Sequence, residues 1–588
     1  MKKTPAMIET LEVRIAPAAV FVNATTATYT DVDGDLVTVK FSKSLLTPAN
    51  LSNILGTSAS GLGDHLDTIS FTSVSGSDGT NITVSAKLAG QGNGLADVTR
   101  IISNTTLGAV TIMGDLDKIV AGHTADTATV GVKSLSVRSF GLASYLAGAA
   151  GSTSSIYGSL GALVVKSEFA GVDLQVLGNP DADGKIGSIT IGGSIVSPAA
   201  GAGGSIEADG DIGSIKIAGS IYAGAAKNTG QIKATGKIGN ITIGGSVHGT
   251  PLQDTGVISA GLSIGTVKIG RDLTGGDALN TGVVSAGTTL GAVTIGGSVR
   301  GGEVIANGKV TSIKITHDLL GGQFENTGVL YSMVNLGPVT IGGSVFGGPG
   351  DRSGAIVSHG NIGAVKIGGN FQGGGTTNTT NDSGQIGTDG GNIASVTIAG
   401  DAIASFGPGN NNGSIISEGT IGAVKIGGNI VTIGDATFII RAQGSAAKPL
   451  ALASLTIGGS VNHVLVLAGY NSLGLPTFGG AGIGPIKVTG NWAAGSIAAG
   501  TQSSTYPNFG LLTDTLIGTP SLVSKIASIT IGGLVAGTTG GNDHFGFEAQ
   551  KIGALTIGGA KIPLSSTAFD SRPLGLTGDF LAQEIAPH

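Results

Sequence analysis

Apolar residues recur along this chain in short alternating bursts: Ile186-Gly-Ser-Ile-Thr-Ile191, Ile212-Gly-Ser-Ile-Lys-Ile217 and Ile238-Gly-Asn-Ile-Thr-Ile243. Two apolar residues flank one polar residue in each burst, the period of a strand with one buried face. A Gly-Gly pair, or a near equivalent, then Ser-Ile or Ser-Val follow. Early copies restart every 26 residues, and the phrase persists to Ile552-Gly-Ala-Leu-Thr-Ile557. A second strand pattern lies between copies, as Ser205-Ile-Glu-Ala208 and Gln231-Ile-Lys-Ala234. It predicts one inward column of Ile206, Ile232, Ile258 and Val284, and a narrower one of Ala208, Ala234, Ala260 and Ala286. A fixed period of this length means a solenoid whose coils share one core. Each copy is then one coil of two or three short strands, stacked on the next at ~4.8 Å. The predicted fold is all-β, a parallel β-helix solenoid, right-handed by the crossover rule. A β-propeller is the alternative, but its blades need four strands and usually ~40 residues or more.

The polar residue inside the burst alternates. It runs Thr190, Lys216, Thr242, Lys268, Thr294, Lys314, Thr340, Lys366, Thr397, Lys425, Thr456, Lys487, Thr530, and breaks only at Thr556. Lysines on adjacent coils would stand about 5 Å apart and repel by roughly 1 kcal/mol or more. Skipping a coil separates them to about 10 Å, near the screening length. Duplication of a two-coil unit would leave the same trace. Asp272 and Asp318, each four residues after a lysine, are expected to pair with it. The Gly-Gly pair is expected to let the chain bend sharply.

Residues 1–20 read as an export or sorting leader, with Lys2 and Lys3 before a short apolar stretch interrupted by Glu9 and Glu12. Residues 21–103 read as a small β-rich N-terminal capping domain. Val37–Phe41, Thr68–Thr72 and Ile82–Ala86 alternate like strands, and Thr47-Pro48 opens a predicted short helix. Such a cap covers the exposed edges of the first coil. The repeat array runs 104–560 and a tail 561–588. Loops lengthen at 373–392, 401–413 and 499–524, where Gly, Thr, Asn and Ser abound. Insertions on one side of a solenoid carry binding in some proteins and are neutral drift in others.

Composition narrows the classes. There are 106 glycines without a Gly-X-Y period, which excludes collagen. No apolar run reaches the roughly 18 residues of a bilayer span, so no membrane span is expected. A net charge of −6 without a dense basic run disfavours nucleic acid. The chain has no cysteine, so disulfides, thiol catalysis and cysteine-based zinc sites are excluded.

Catalytic patterns fail one by one. The eight histidines are scattered, and none forms H-E-x-x-H. Gly-Gly-Ser-Val resembles part of a nucleophile elbow, but the closing glycine is missing after Ser194, Ser246, Ser298 and Ser344. Gly302–Lys309 imitates a P-loop with one residue too many, and Val310 replaces the magnesium-binding hydroxyl. Glu207, Asp209 and Asp211 are carboxylates a polysaccharide-active β-helix could use, but nothing groups them. Aromatic residues make up 4% and Trp492 is the single tryptophan, so sugar-stacking surfaces are scarce. Calcium is the cation with candidate ligands. Asp31-Val-Asp33-Gly-Asp35 gathers three carboxylates around a glycine, and Asn179-Pro-Asp181-Ala-Asp183-Gly184 has the first half of an EF-hand loop. Both lack the acidic twelfth residue, having Ser42 and Thr190 there. An Asp/Gly-rich turn is the simpler account of both.

Leu11-Glu-Val-Arg14-Ile-Ala-Pro-Ala18, Tyr29-Thr-Asp-Val-Asp-Gly-Asp-Leu-Val-Thr-Val39, Gly92-Asn-Gly-Leu-Ala-Asp97 and the Gly-Gly-Ser-Val repeats together resemble large bacterial extracellular β-strand-repeat proteins with an N-terminal LE-x-R-type motif. The resemblance covers most of the chain. It implies export and an extracellular or cell-surface location, but carries no common activity. The expectation is a non-catalytic structural or adhesin-like repeat protein, a rigid spacer or interaction surface whose partners would be surface polysaccharide or other surface proteins. The alternatives are a polysaccharide-active β-helix enzyme and a calcium-stabilised binding module.

Overall fold

The computed structural model describes residues 19–148, 152–178, 183–198, 201, 203–276, 278–375, 381–405, 411–538, 542–565 and 569–587. Among them, helix is confined to Leu51–Ile54 and Leu142–Leu146, and strands carry the rest of the regular structure. The protein is a parallel β-helix solenoid. Residues 1–18 of the segment read as a leader lie outside the described residues. The chain divides into two compact units, Met1–Gly213 and Ser214–His588.

The first unit opens with antiparallel strands. Thr26–Thr30 pairs with Leu36–Phe41, which pairs with Thr80–Lys87. Val37, Val39 and Phe41 are buried while Leu36 and Lys40 are exposed, as the alternation predicts. Thr80–Lys87 then pairs in parallel with Leu107–Gly122, so the cap leads directly into coil stacking. The predicted helix at Thr47 is shorter than expected. Thr47 and Asn50 exchange side-chain-to-backbone hydrogen bonds of 2.7 and 3.2 Å in a turn, and helix starts only at Leu51.

In the second unit a coil has a first strand, a short middle strand of two residues (four at Ala402–Ser405 and Ile430–Ile433) and a last strand. Val310–Ile315, Leu319–Leu320 and Leu330–Ser332 form one coil. The Thr/Lys column of the first strands keeps its register: Lys216 opposes Thr242, Thr242 opposes Lys268, and so on to Lys487 and Thr530. Their apolar neighbours, such as Ile241 and Ile243, are 1% exposed. The last strands stack Ile232, Ile258, Val284, Val304 and Leu330 in one buried column. The coil between Leu290 and Val310 is shorter than its neighbours, yet both registers hold across it. Length change is absorbed in the loops.

The chain bends at the glycine pairs, as expected, but without a left-handed backbone. None of Gly244, Gly245, Gly296 or Gly297 has a positive φ. They are small because the coils are close. A Cβ on Gly296 would stand 2.2 Å from the carbonyl oxygen of Gly270, and one on Gly297 would stand 2.2 Å from Asp272 Oδ1. That second contact exposes a polar ladder. Ser246 Oγ accepts the Asp272 N–H, Asp272 Oδ1 accepts the Ser298 N–H at 2.7 Å, and Ser298 Oγ accepts the Asp318 N–H. Asp318 Oδ1 accepts the Ser344 N–H at 2.8 Å, and Asn370, Asp401, Asn429 and Asn491 continue the ladder to the Leu534 N–H. The expected Lys268–Asp272 and Lys314–Asp318 ion pairs are not formed, because these carboxylates cap the next coil's backbone. Each such bond contributes on the order of 1 kcal/mol.

The C-terminal end closes differently. Leu555–Ile557 turns back through Gly558 and Gly559, φ 55° and 79°, into the antiparallel strand Ala560–Ile562. Phe580–Glu584, from the residues read as a tail, adds a parallel strand beside Phe545–Ala549. The alternation therefore breaks at Thr556 where the first-strand face meets a hairpin.

Candidate functional site

A groove of about 640 Å³ runs along the outer face of the last strands in the second unit. Its floor is made by outward residues of successive coils. Ile305 opposes Tyr331, Tyr331 opposes Val357, and Val357 opposes Gly387. These positions are part-buried or covered, unlike the exposed lysines of the first strand.

One wall is built by a turn that sequence reading passed over. The phrase Asn/Asp-Thr/Ser-Gly stands just before the last strand as Asn280-Thr-Gly282, Asn326-Thr-Gly328 and Asp382-Ser-Gly384. Its first residue is left-handed, with φ 56° at Asn280, 59° at Asn326 and 57° at Asp382. Asn and Asp tolerate this conformation better than other side chains. The hydroxyl that follows is buried and closes the loop: Thr327 Oγ1 donates to the Phe324 carbonyl at 2.7 Å. The glycine is also left-handed, and a Cβ on Gly328 would stand 2.4 Å from the Leu320 carbonyl oxygen. The turn thus sets one wall residue per coil. Arg352 occupies the left-handed position in its coil, φ 50°, where its neighbours have Asn or Asp. An arginine there costs roughly 1 kcal/mol, and it places a guanidinium on the wall, 4.0 Å from Glu325.

The opposite wall carries His359 and Asp389, whose Nδ1 and Oδ1 lie 2.6 Å apart. Tyr331 feels both walls. Burial and the Asp389 charge raise its pKa, while Arg352 acts the other way. Asp382 accepts hydrogen bonds from Gln385 at 3.0 Å and Asn411 at 2.9 Å. Burial alone, with no neighbouring cation to offset it, pushes the Glu303 carboxyl up to about 7. It therefore keeps its proton to higher pH than an ordinary carboxyl, and in that form can both donate and accept hydrogen bonds.

Loops close one end. Arg441, 3% exposed, sits in the column two coils beyond Gly387 and donates to Asn411 Oδ1 at 3.1 Å and to the Ser472 carbonyl. Beyond it the long insertions fold onto the sheet: Leu465, Leu467, Tyr470, Ala498, Phe509 and Ile517 form a separate buried cluster. The Tyr470 hydroxyl donates to the Thr501 carbonyl at 2.8 Å. The 499–524 insertion thus packs over the outer face as a cover.

The residues singled out from sequence fall elsewhere. Trp492 is fully buried, with its indole N–H bonded to the Gly495 carbonyl at 2.8 Å, so it offers no sugar platform. Asp209 accepts the Gly178 N–H. The repeat serines, including Ser246, Ser298 and Ser344, are links of the polar ladder. Asp31, Asp33 and Asp35 do converge, each with a carboxylate oxygen within 4.8 Å of the others. They form the turn between two antiparallel strands. Asp31 Oδ1 accepts the N–H groups of Asp33, Gly34 and Asp35, and the two Asp35 oxygens accept those of Ala89 and Gly94. Asp33 Oδ1 is buried without a hydrogen-bond partner. Burial, then the hydrogen bond with Asp33, raises the Asp31 pKa to about 6. The three carboxylates thus cap the turn's backbone and, among the described residues, also form a group that could hold a metal ion, calcium taking 6–8 oxygens. In the second loop Asn179 and Asp181 lie outside the described residues, while Asp183 adjoins Gly184 at φ 68°.

No described helix is long and apolar enough to cross a membrane. No protein-family model, curated protein or solved structure matches the chain.

Proposed function

We propose that this is a non-catalytic extracellular or cell-surface bacterial repeat protein, adhesin-like in action, whose β-helix is a rigid scaffold and whose groove binds an extended polysaccharide. The observation that carries the reading is the groove's composition: a tyrosine and aliphatic floor between walls of Asn, Asp, Arg and His. Such a surface offers a sugar ring an apolar face and hydroxyls planar polar partners. Glu303, the groove carboxyl that holds its proton most tightly, stands too far along the axis from Asp382 and Asp389 to form a glycosidase pair with either. Glu303 lies on the coil three steps before Asp389, an axial offset of about 14 Å, whereas glycosidase carboxyl pairs stand at most about 9.5 Å apart. Export and a bacterial surface location rest on the N-terminal resemblance.

The test is retention of the full chain on a panel of uncharged polysaccharides, with reducing-end release followed in the same samples. Binding without release, weakened about tenfold by Tyr331→Ala (the loss of one stacking contact), is the expected result. One observation favours a second reading, a polysaccharide-active enzyme: a carboxyl with its pKa near 7 in a groove is suited to act as a general acid. Chain cleavage abolished by Glu303→Gln would establish that reading instead.

A further inference from the structure

The first-strand face of the second unit is a separate surface with its own chemistry. Lys216, Lys268, Lys314, Lys366, Lys425 and Lys487 are exposed and aligned, each separated from the next by one threonine coil. The alignment continues unbroken through Thr340, Thr397 and Thr456. Among the described residues, none of these six lysines joins an ion pair. The Asp residues nearest in sequence, Asp272 and Asp318, have committed Oδ1 to the backbone ladder. The other outward column of the strand is small and uncharged, with Thr266, Ala292, Ser312, Pro338, Ala364 and Ser395. Beside this column a hollow of about 450 Å³ opens over Gly270, Gly296 and Gly342, lined by Arg271, Arg300 and His317 and by the ladder carboxylates Asp272 and Asp318. A chain with net charge −6 thus presents a flat, basic strip.

The step between lysines is two strand spacings, about 9.6 Å, and the six span roughly 48 Å. A flat face with one cation per step complements an extended polymer with one anion per step. We propose that this strip binds a linear acidic polysaccharide carrying one carboxylate or sulfate per two-sugar repeat, the sugar rings lying on the small residues between lysines. Nucleic acid fits poorly: a duplex carries a charge about every 1.7 Å along its axis, far denser than the lysine column. This surface shares no residue with the groove, so the two readings stand or fall separately.

Hyaluronan, with one carboxylate per two sugars, is the probe. Polygalacturonate, dextran and duplex DNA are the comparisons, all measured with the full chain by biolayer interferometry at low and physiological salt. Hyaluronan is expected to bind most tightly and to weaken with salt as the screening length shortens. The triple variant Lys314→Gln, Lys366→Gln, Lys425→Gln is expected to lose about tenfold, three exposed charge contacts, with its melting temperature unchanged. Arginine at the same three positions should retain binding. The charge-neutral double variant Thr340→Lys, Lys366→Thr breaks the spacing and should weaken hyaluronan binding, with a thermal melt showing that the coil is intact. Tyr331→Ala should leave it unchanged. No hyaluronan binding at low salt, equal binding by the triple variant, indifference to the spacing variant, or tighter binding of DNA would each overturn the proposal.

Discussion

The first and last strands of each coil in the second unit share a core and a stacking distance, yet they differ in almost everything that faces out. The first strand repeats its Thr/Lys column without a slip from Lys216 to Thr530. The last strand presents Lys233, Ser259, Ser285, Ile305, Tyr331, Val357 and Gly387 in the equivalent column. Its inward column changes as well, from Ala306 to Ser332, Ser358 and Thr388, and the Ser332 hydroxyl donates to the Gly308 carbonyl at 2.7 Å. The difference traces to the connections. First and middle strands are joined by a tight bend in which glycines touch the coil below and a side chain caps the coil above. The loops that vary in length join middle to last strands and, in the later coils, last strands to the next first strand. Register is held in both strands; the outer face changes beside the loops that vary.

The comparison can be broken most severely from inside the first strand. Ile243→Asp places an unpaired carboxylate in a site that is 1% exposed, and should cost several kcal/mol. Chemical denaturation of the variant measures it. Next comes the bend. Gly296→Ala pushes a Cβ to within 2.2 Å of a backbone oxygen that cannot step aside, and should cost roughly 1–3 kcal/mol. Removing a ladder link is milder: Asp318→Ala leaves the Ser344 N–H without its acceptor, a loss of about 1–2 kcal/mol in the same assay. Thr242→Lys should cost least, under about 1 kcal/mol and less at high salt, because it only crowds Lys216 and Lys268 at an exposed position. Equal losses for Ile243→Asp and Thr242→Lys would reverse the assignment of inside and outside.

The groove should also respond to pH. The folded Glu303 pKa of about 7 lies above the ordinary carboxyl value. The folded state therefore holds this proton more tightly than the unfolded chain does. Its contribution favours folding at acid pH and is lost as pH rises from about 4.5 through 7. Glu303→Gln should flatten that part of the stability profile, read from melting temperatures between pH 5 and pH 8.

Much of the fold was legible because the dominant signal is local and repeated. Period, strand parity and the inward columns of Ile232, Ile258 and Val284 follow from alternation alone. Two features depend on how the coils stack. The glycine pairs do bend the chain, but sequence does not show that the neighbouring coil lies too close for a Cβ. Asp272 and Asp318 looked like partners for lysine, since their backbone acceptor role appears only once coils are stacked. The groove was hidden for a related reason. Its lining residues are separated by a coil or more and are joined only by register. The Asn/Asp-Thr/Ser-Gly phrase that builds its wall was visible, and so was the odd Arg352 within it. Their meaning needed the left-handed backbone and the loops that close one end.

The central claim is that the outer face of the last strands, through the Tyr331 groove, binds uncharged polysaccharide, and that the Thr/Lys face of the first strands takes no part in that binding. The most direct measurement is the affinity of the full chain and two variants, Tyr331→Ala and Thr242→Lys, for the uncharged polysaccharide retained best in the panel. The account expects Tyr331→Ala to lose about tenfold and Thr242→Lys to bind as the parent does. Equal affinities for all three proteins, or a loss confined to Thr242→Lys, would contradict it.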